Sequence, residues 1–116
     1  FRSCTNVTPN TGNWGVSTIT DMINMFYLCT SANPEVRSWD VSSVTTFGAM
    51  FRNCSSADPD VSVWDVSAAE SFQDMFKFAS IANPDVSNWV TTAMLTCRGM
   101  FRSAIAATPD VTGWDK

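Results

Sequence analysis

A repeat of 25 residues runs along this chain and constrains its fold more than any other feature. Tryptophan, phenylalanine and proline each return at that interval, and a methionine precedes four of the five phenylalanines. No insertion interrupts the period, so each repeat predicts one coil of chain that stacks on the next. Positions 25 apart then form a column along the stack. The aromatic columns are Trp14, Trp39, Trp64, Trp89, Trp114 and Phe1, Phe26, Phe51, Phe76, Phe101.

One coil of this size cannot bury a Trp, a Phe and a Met by itself, whereas stacked coils can bury them against each other. We therefore interpret the aromatic columns as ladders in the core rather than as an aromatic binding platform. The core ladder would contain all five tryptophans together with Phe26, Phe51, Phe76 and Phe101. The array is one domain of about 4.6 coils, with units 1–25, 26–50, 51–75 and 76–100 and a partial unit 101–116.

Two spacings of apolar residues within each coil predict its local structure. Residues Val44, Phe47, Met50, Phe51 and Cys54 lie three or four positions apart, which is typical of one face of a short helix or 3₁₀ turn. The segment 57–61 instead alternates between small or apolar and polar residues, which predicts a short strand with its proline at the entrance. The sequence therefore predicts an α/β solenoid with a short parallel sheet on one face and short helical or 3₁₀ turns on the other.

The stretch WDVSSVTTFGAMFRNCSSADPDVSVWDVS resembles the 25-residue units of BspA-type leucine-rich-repeat surface proteins. Trp39-Asp40-Val41-Ser42, Met50-Phe51 and Trp64-Asp65-Val66-Ser67 carry this resemblance, which extends over the whole chain. It implies a leucine-rich-repeat-like stack, an extracellular or cell-surface location, and a non-catalytic role in adhesion. The family has no shared catalytic or ligand-binding residues to transfer. Two coils depart from the pattern, because Val90 follows Trp89 and Gly15 follows Trp14.

The charge content argues against several classes of partner. Only 16% of the residues are charged and the net charge is −4, whereas nucleic-acid binding requires clustered Lys and Arg. The same balance disfavours an anionic membrane surface. No apolar run is long enough to predict a segment inserted in a membrane. Because the chain begins at Phe1 without a Met, we expect it to be a piece of something longer.

The residues needed for common enzyme mechanisms are missing from the sequence. It contains no His, the most frequent general base at neutral pH, and no glycine-rich phosphate loop or nucleophile elbow. We therefore expect no enzyme activity, no catalytic residues and no cofactor.

An acidic column is the most prominent polar feature of the repeat. It contains Asn10, Glu35, Asp60, Asp85 and Asp110, and it is flanked by Asn33, Asp58 and Asn83. Calcium is one candidate to compensate the stacked charges, with Asp58, Asp60 and Asp85 as ligands. The alternative is that these side chains accept backbone N–H bonds in the Pro-Asp turn or face water. We favour the alternative and expect no metal site.

The cysteines and two glycosylation triplets allow more than one reading. Cys4, Cys29 and Cys54 share one column, and Cys97 stands in another. They are interpreted as buried thiols, with a Cys4–Cys29 disulfide as the alternative, because adjacent coils place Cα atoms within bonding range. Two Asn-x-Ser/Thr triplets make Asn6 and Asn53 candidate glycosylation sites on a secretory route.

Two functions remain open at this point. The first is a non-enzymatic extracellular surface or structural module that mediates adhesion or assembles into fibres. Its partners would be copies of itself, other surface proteins or glycans. The alternative is a ligand-binding module that presents the acidic face to a peptide, a glycan or calcium.

Overall fold

A computed structural model describes residues 11–12 and 14–114 of the chain. Within this range, main-chain hydrogen bonds join residues 24 to 26 positions apart. For example, the Thr45 N–H donates to the Thr20 carbonyl at 2.8 Å, and the Phe47 N–H donates to the Ser71 carbonyl at 2.9 Å. The chain therefore winds through successive layers of 25 residues that lie on one another in register.

Each layer is a succession of tight turns and bends. No α-helix and no strand is present in the described part of the chain. The regular pairing found there consists of isolated parallel bridges, Asp21–Thr46, Thr46–Ser71 and Ser71–Thr96. The prediction of a leucine-rich-repeat-like α/β solenoid, with a parallel sheet on one face and helical turns on the other, is wrong. No helix in residues 11–12 and 14–114 has the length and apolarity needed to cross a bilayer.

Consecutive turns replace the predicted helix, because successive main-chain N–H groups bond alternately within their own layer and to the neighbouring layer. The Met50 N–H donates to Phe47 and the Arg52 N–H to Ala49, each three residues back. The Phe51 N–H between them leaves the layer and donates to the Met75 carbonyl at 2.8 Å, as the Ala49 N–H does to Gln73. In an α-helix every N–H would bond four residues back within the segment. The turns instead give every second amide to the neighbouring layer.

Left-handed residues make these turns possible. In the turn that the Met50 to Phe47 bond closes, the third residue is Ala49, and its φ is positive. The equivalent turns of the other layers share this feature, which is typical of type II turns. This conformation costs a non-glycine residue about 1–2 kcal/mol. Burial and the bonds between layers must offset that cost. The residues at positive φ are Asn24, Leu28, Ala49, Asn53, Asp74, Phe78, Gly99 and Ser103.

The predicted strand at residues 57–61 is also absent, and side chains link the layers there. Pro59 has no N–H to donate to a ladder. The Asp58 N–H bonds to Oδ1 of Asn33 at 3.0 Å, and the Asn83 N–H bonds to Oδ1 of Asp58 at 3.1 Å. This region is therefore joined through a column of side-chain oxygens, and the main-chain bridges lie at Thr46 and its column instead.

Aromatic ladders fill the centre of the stack. The ring centroids of Phe26, Phe51, Phe76 and Phe101 are 5.5, 5.4 and 5.6 Å apart along their column. These rings lie within 12° of parallel with their neighbours. The Phe47 and Phe72 rings form a second stack at 5.6 Å. Like residues thus pack on like residues, which fixes the register of the layers.

The tryptophans fill the core and also connect the layers. Trp39, Trp64 and Trp89 are only 3–5% exposed. Each indole N–H donates to a main-chain carbonyl 28 residues earlier, as in the 2.9 Å bond from Trp64 to Val36. A buried indole needs such a partner, because an unpaired N–H in the core would be destabilising. The corresponding bonds are Trp39–Thr11, Trp89–Val61 and Trp114–Val86.

Candidate functional site

The carboxylates of the acidic column are held in the turns that follow the prolines. Oδ1 of Asp85 accepts the Ser87 N–H at 3.1 Å and the Ser87 hydroxyl at 2.7 Å. Such bonds favour the charged form of the carboxyl group. They lower the pKa of Asp85 below its ordinary value, and the hydroxyl bond is the largest cause. The same bonds, with the same effect on pKa, recur at Asp60–Ser62 and Asp110–Thr112.

The flanking column of Asn33, Asp58 and Asn83 serves a different purpose. The Oδ1 atom of each residue accepts the main-chain N–H of the residue 25 positions later, at 3.0–3.1 Å. These side chains therefore stand in for the carbonyls of a β-ladder. Asp58 is part of this link between layers.

The calcium candidates Asp58, Asp60 and Asp85 are thus committed to separate hydrogen bonds. The first links two layers, and the other two each close a turn. Among residues 11–12 and 14–114, no three His, Cys, Asp or Glu side chains are grouped so as to hold a metal ion. The geometry therefore agrees better with turn carboxylates than with a calcium ladder.

One ion pair compensates part of the acidic column. The Arg37 guanidinium lies 3.2 Å from Asp60, and the two side chains are 63% and 49% exposed. Glu35 accepts the Arg37 N–H through Oε1 at 3.0 Å. At this exposure the Arg37–Asp60 pair stabilises the fold by about 0–1 kcal/mol.

A second charged cluster surrounds Asp74, which the sequence analysis did not single out. Its Oδ2 lies 3.5 Å from Arg52 Nη1 and 3.8 Å from Lys77 Nζ. The Arg52 guanidinium also lies 5.5 Å from the centroid of the Tyr27 ring. The Lys77 side chain is only 15% exposed. These cations therefore take part in packing between layers. The sequence indicates such a contact only in that Arg52 and Lys77 stand 25 positions apart, in one column of the repeat.

The three described cysteines differ in burial. Cys29 and Cys54 are buried, as expected, whereas the expectation of a buried thiol is wrong for Cys97, which is exposed. Burial raises the pKa of Cys54 to about 12, so this thiol is not a nucleophile at neutral pH. Cys4 lies outside the described residues, so the alternative of a Cys4–Cys29 disulfide stays untested.

Of the two glycosylation candidates, Asn53 lies in the described part of the chain. It is half-buried, at the third position of a turn, with φ of 61°. Its N–H donates to the Lys77 carbonyl at 2.8 Å. Asn6 lies outside the described residues, and glycan attachment at either residue stays a prediction.

Open apolar depressions lie at the two ends of the described stack. The first has a volume of about 520 Å³ and lies beside Trp14, Ile19, Met22, Ile23 and Met25. The second, of about 480 Å³, is lined by Cys97, Met100, Phe101, Pro109, Val111 and Trp114. The sequence analysis missed them because these columns are buried inside the stack. Only the position of a residue within the array distinguishes an end from an interior layer.

Comparison with known proteins identifies one family. A protein-family model matches residues 1–114, and the family is described as "Mycoplasma protein of unknown function, DUF285". No curated protein and no solved structure matches the chain.

Proposed function

We propose that this chain, which belongs to the DUF285 family, is a non-enzymatic surface or structural repeat module that self-assembles along the axis of its layers. Adhesion would follow from presenting the repeated lateral faces of such an assembly. The proposed location is the cell surface or the extracellular space, and the proposed partners are further copies, other surface proteins or glycans.

The observation that carries this proposal is a row of main-chain donors at one end of the stack. The N–H groups of Phe26, Phe51 and Phe76 donate to the next layer at 2.8–2.9 Å. The N–H of Phe101, in the same column, has no acceptor among the described residues. The same holds for Ser103, whose column partners bond forward in three earlier layers. Each layer thus carries main-chain donors in register for a further layer of the same kind, as the edge of a sheet does for another strand.

The resemblance to BspA-type units supports the surface location. It rests on Trp39-Asp40-Val41-Ser42 and the matching segment that begins at Trp64. It concerns the sequence pattern, since the leucine-rich-repeat-like architecture is excluded above. An array with like residues on each face suits a scaffold better than a catalyst, because each surface group recurs in several layers.

The alternative, a ligand-binding acidic face, has less support from the geometry. Asp60, Asp85 and Asp110 each use Oδ1 to accept two hydrogen bonds within their own turns. A ligand on this face would have to be bound by the second carboxylate oxygens or displace those turns. No described feature favours it over self-assembly.

Light scattering and negative-stain electron microscopy of the 116-residue protein, over a range of concentrations, test the proposal. We expect elongated assemblies that grow with concentration. Discrete single particles at every concentration would contradict it. A melting temperature that rises at millimolar calcium would instead support the ligand-binding alternative, because ligand that binds only the folded state stabilises it.

A further inference from the structure

A notch of about 220 Å³ lies on the side of the stack, where three consecutive layers contribute to one depression. Its lining includes Ile23, Thr46, Gly48, Ser71, Gln73 and Asp74. Its position follows from one column of the repeat, because Ile23, Gln73 and Arg98 carry long side chains where Gly48 carries none. The notch is therefore the place of one absent side chain in an otherwise filled column.

The fold itself does not require a glycine at position 48. Gly99 has a φ of +68°, whereas the φ of Gly48 lies outside the left-handed region. A Cβ added at Gly48 would have ordinary contacts of 3.5 Å with the Ile23 side chain and the Thr46 hydroxyl. Neither backbone strain nor crowding therefore accounts for this glycine. Its effect is to leave space between the Ile23 and Gln73 side chains.

The polar groups around the notch have hydrogen-bonding capacity that the fold does not use. The Thr46 hydroxyl oxygen accepts the Gly48 N–H at 3.2 Å, and the Ser71 hydroxyl oxygen accepts the Gln73 N–H at 3.3 Å. Neither hydroxyl donates its proton to a described residue, and the Gln73 side-chain amide has no partner among residues 11–12 and 14–114. The notch thus presents two O–H donors and one amide that can both donate and accept.

The charges beside the notch favour a neutral ligand. Asp74 contributes a carboxylate to the lining, and its Oδ2 lies 3.5 Å from Arg52 Nη1 and 3.8 Å from Lys77 Nζ. A cationic ligand would have to compete with these two side chains for the carboxylate. Neither cation is part of the lining, so an anionic ligand would meet the carboxylate itself. Ile23, which is 50% exposed, adds an apolar wall.

We propose that this notch binds one ring of a neutral saccharide. The hydroxyls of Thr46 and Ser71 donate to oxygens of the ring, the Gln73 amide exchanges hydrogen bonds with its hydroxyl groups, and its C–H face packs on Ile23. The volume suits a single ring, since sites that enclose drug-sized ligands measure roughly 300–1,000 Å³. This inference rests on the adhesive role proposed above and names a ligand class and a site for it. Repetition of the site along an assembly would strengthen such a contact through avidity.

A glycan array tests the ligand class with the wild-type protein. The array carries chains that end in neutral hexoses or N-acetylhexosamines, together with sialylated and sulfated chains. We expect binding to a subset of the neutral chains. Binding to charged chains alone, or to no chain, would overturn the saccharide site. Light scattering on the same protein measures assembly separately, so a negative array leaves the self-assembly proposal intact, and monomeric protein that binds neutral chains would contradict self-assembly alone.

A pair of glycine substitutions locates the site. Gly48→Gln fills the notch with the side chain that the next layer carries in the same column. Gly15→Gln adds the same side chain where an added Cβ has no atom within 4 Å. We expect Gly48→Gln to weaken binding of the glycan selected on the array at least about tenfold, because the added side chain clashes with the ligand. Gly15→Gln should bind as the wild type does, and circular dichroism and thermal melting check that both variants fold.

A second pair leaves the glycines unchanged. Gln73→Ala removes an exposed amide and should weaken binding about two- to tenfold, the effect of one neutral hydrogen bond. Arg98→Ala, at an exposed position one layer later in the same column, should have no effect. When isotope-labelled protein is titrated with the methyl glycoside of the selected sugar, the NMR signals of the Gly48 and Gln73 amides should shift. Wild-type affinity in both Gly48→Gln and Gln73→Ala, or shifts confined to other columns, would show that the saccharide binds elsewhere.

Discussion

The Trp64 indole N–H donates to the Val36 carbonyl at 2.9 Å, across the boundary between two layers. The same carbonyl accepts the main-chain N–H of Trp39 at 3.1 Å. One acceptor thus closes a turn in its own layer and anchors the tryptophan of the next. This doubled use explains why tryptophan, whose indole carries an N–H donor, suits this column better than a purely apolar residue.

Replacing Trp64 by Phe is therefore expected to lower the free energy of unfolding by about 1–3 kcal/mol. The change removes one buried hydrogen bond and leaves a small cavity beside Phe47, whose ring lies 5.4 Å from that of Trp64. Urea denaturation under monomeric conditions measures the effect. Trp114→Phe is the control, and its half-buried position predicts a smaller loss. Equal losses at the two sites would contradict the proposed role of burial.

Gly99 is expected to tolerate alanine poorly. Its φ is +68°, and an added Cβ would collide with the carboxylate of Asp74. We predict that Gly99→Ala destabilises the protein by about 1–2 kcal/mol, mainly through the left-handed backbone. Gly113→Ala is the matched control, because its Cβ would have an ordinary contact of 3.7 Å with the Ser87 carbonyl. Thermal melting that shifts equally in both variants would refute this account.

Acid stability should depend on the Asp–Ser turns. The folded-state pKa values of Asp60 and Asp85 are lowered, so both groups contribute stability above their unfolded value. That contribution is lost as the pH falls below about 4 and through the folded pKa values. The double variant Ser62→Ala/Ser87→Ala removes the largest cause of the shift. Its unfolding free energy should therefore fall less steeply with acidification than that of the wild type.

The control for this experiment is Ser43→Ala, at an exposed position without a described hydrogen bond. Chemical denaturation between about pH 2 and 6 gives the slopes, since the model carboxyl values lie in this interval. If the double variant and Ser43→Ala gave the same slope as the wild type, the hydroxyl bonds would have no effect on the titration.

Thiol labelling should separate the cysteines. In a Cys4→Ser background, we expect a disulfide reagent at neutral pH to modify Cys97 rapidly, because its thiol is exposed. Cys29 and Cys54 should react only when the protein unfolds, since both are buried and the Cys54 pKa is raised to about 12. Adding Cys97→Ser should remove the fast phase. Rapid labelling of two or more thiols in the folded protein would show that the layers open easily.

Much of the layered organisation could be predicted from the repeat, because a constant period places the same residue in every layer. The helix prediction failed for a physical reason. Phe47, Met50 and Phe51 have helical spacing, but consecutive turns that bond three residues back produce the same spacing. What separates the two structures is the left-handed conformation at Ala49 and Asn53, and neither residue type demands it.

The strand prediction failed because the alternation of apolar and polar residues does not show which main-chain groups form hydrogen bonds with each other. The Asp58 N–H finds the Asn33 side chain, so the segment is held to its neighbour without main-chain pairing. The exposure of Val111 could not be predicted from residue types. Val86 and Val111 are the same residue in the same column, but Val86 is buried and Val111 is 43% exposed in the last described layer.

The main-chain amides alternate between bonds within a layer and bonds to the next layer, and this also determines the order in which the layers unfold. Phe51 bonds forward to Met75, whereas the Arg52 bond stays within its own layer. Unfolding a middle layer breaks its contacts with two neighbouring layers, whereas unfolding an outer layer breaks its contacts with one neighbour. Unfolding should therefore begin in an outer layer of the described stack and proceed inward one layer at a time. The Phe51 amide is accordingly expected to exchange with deuterium more slowly than the Phe101 amide.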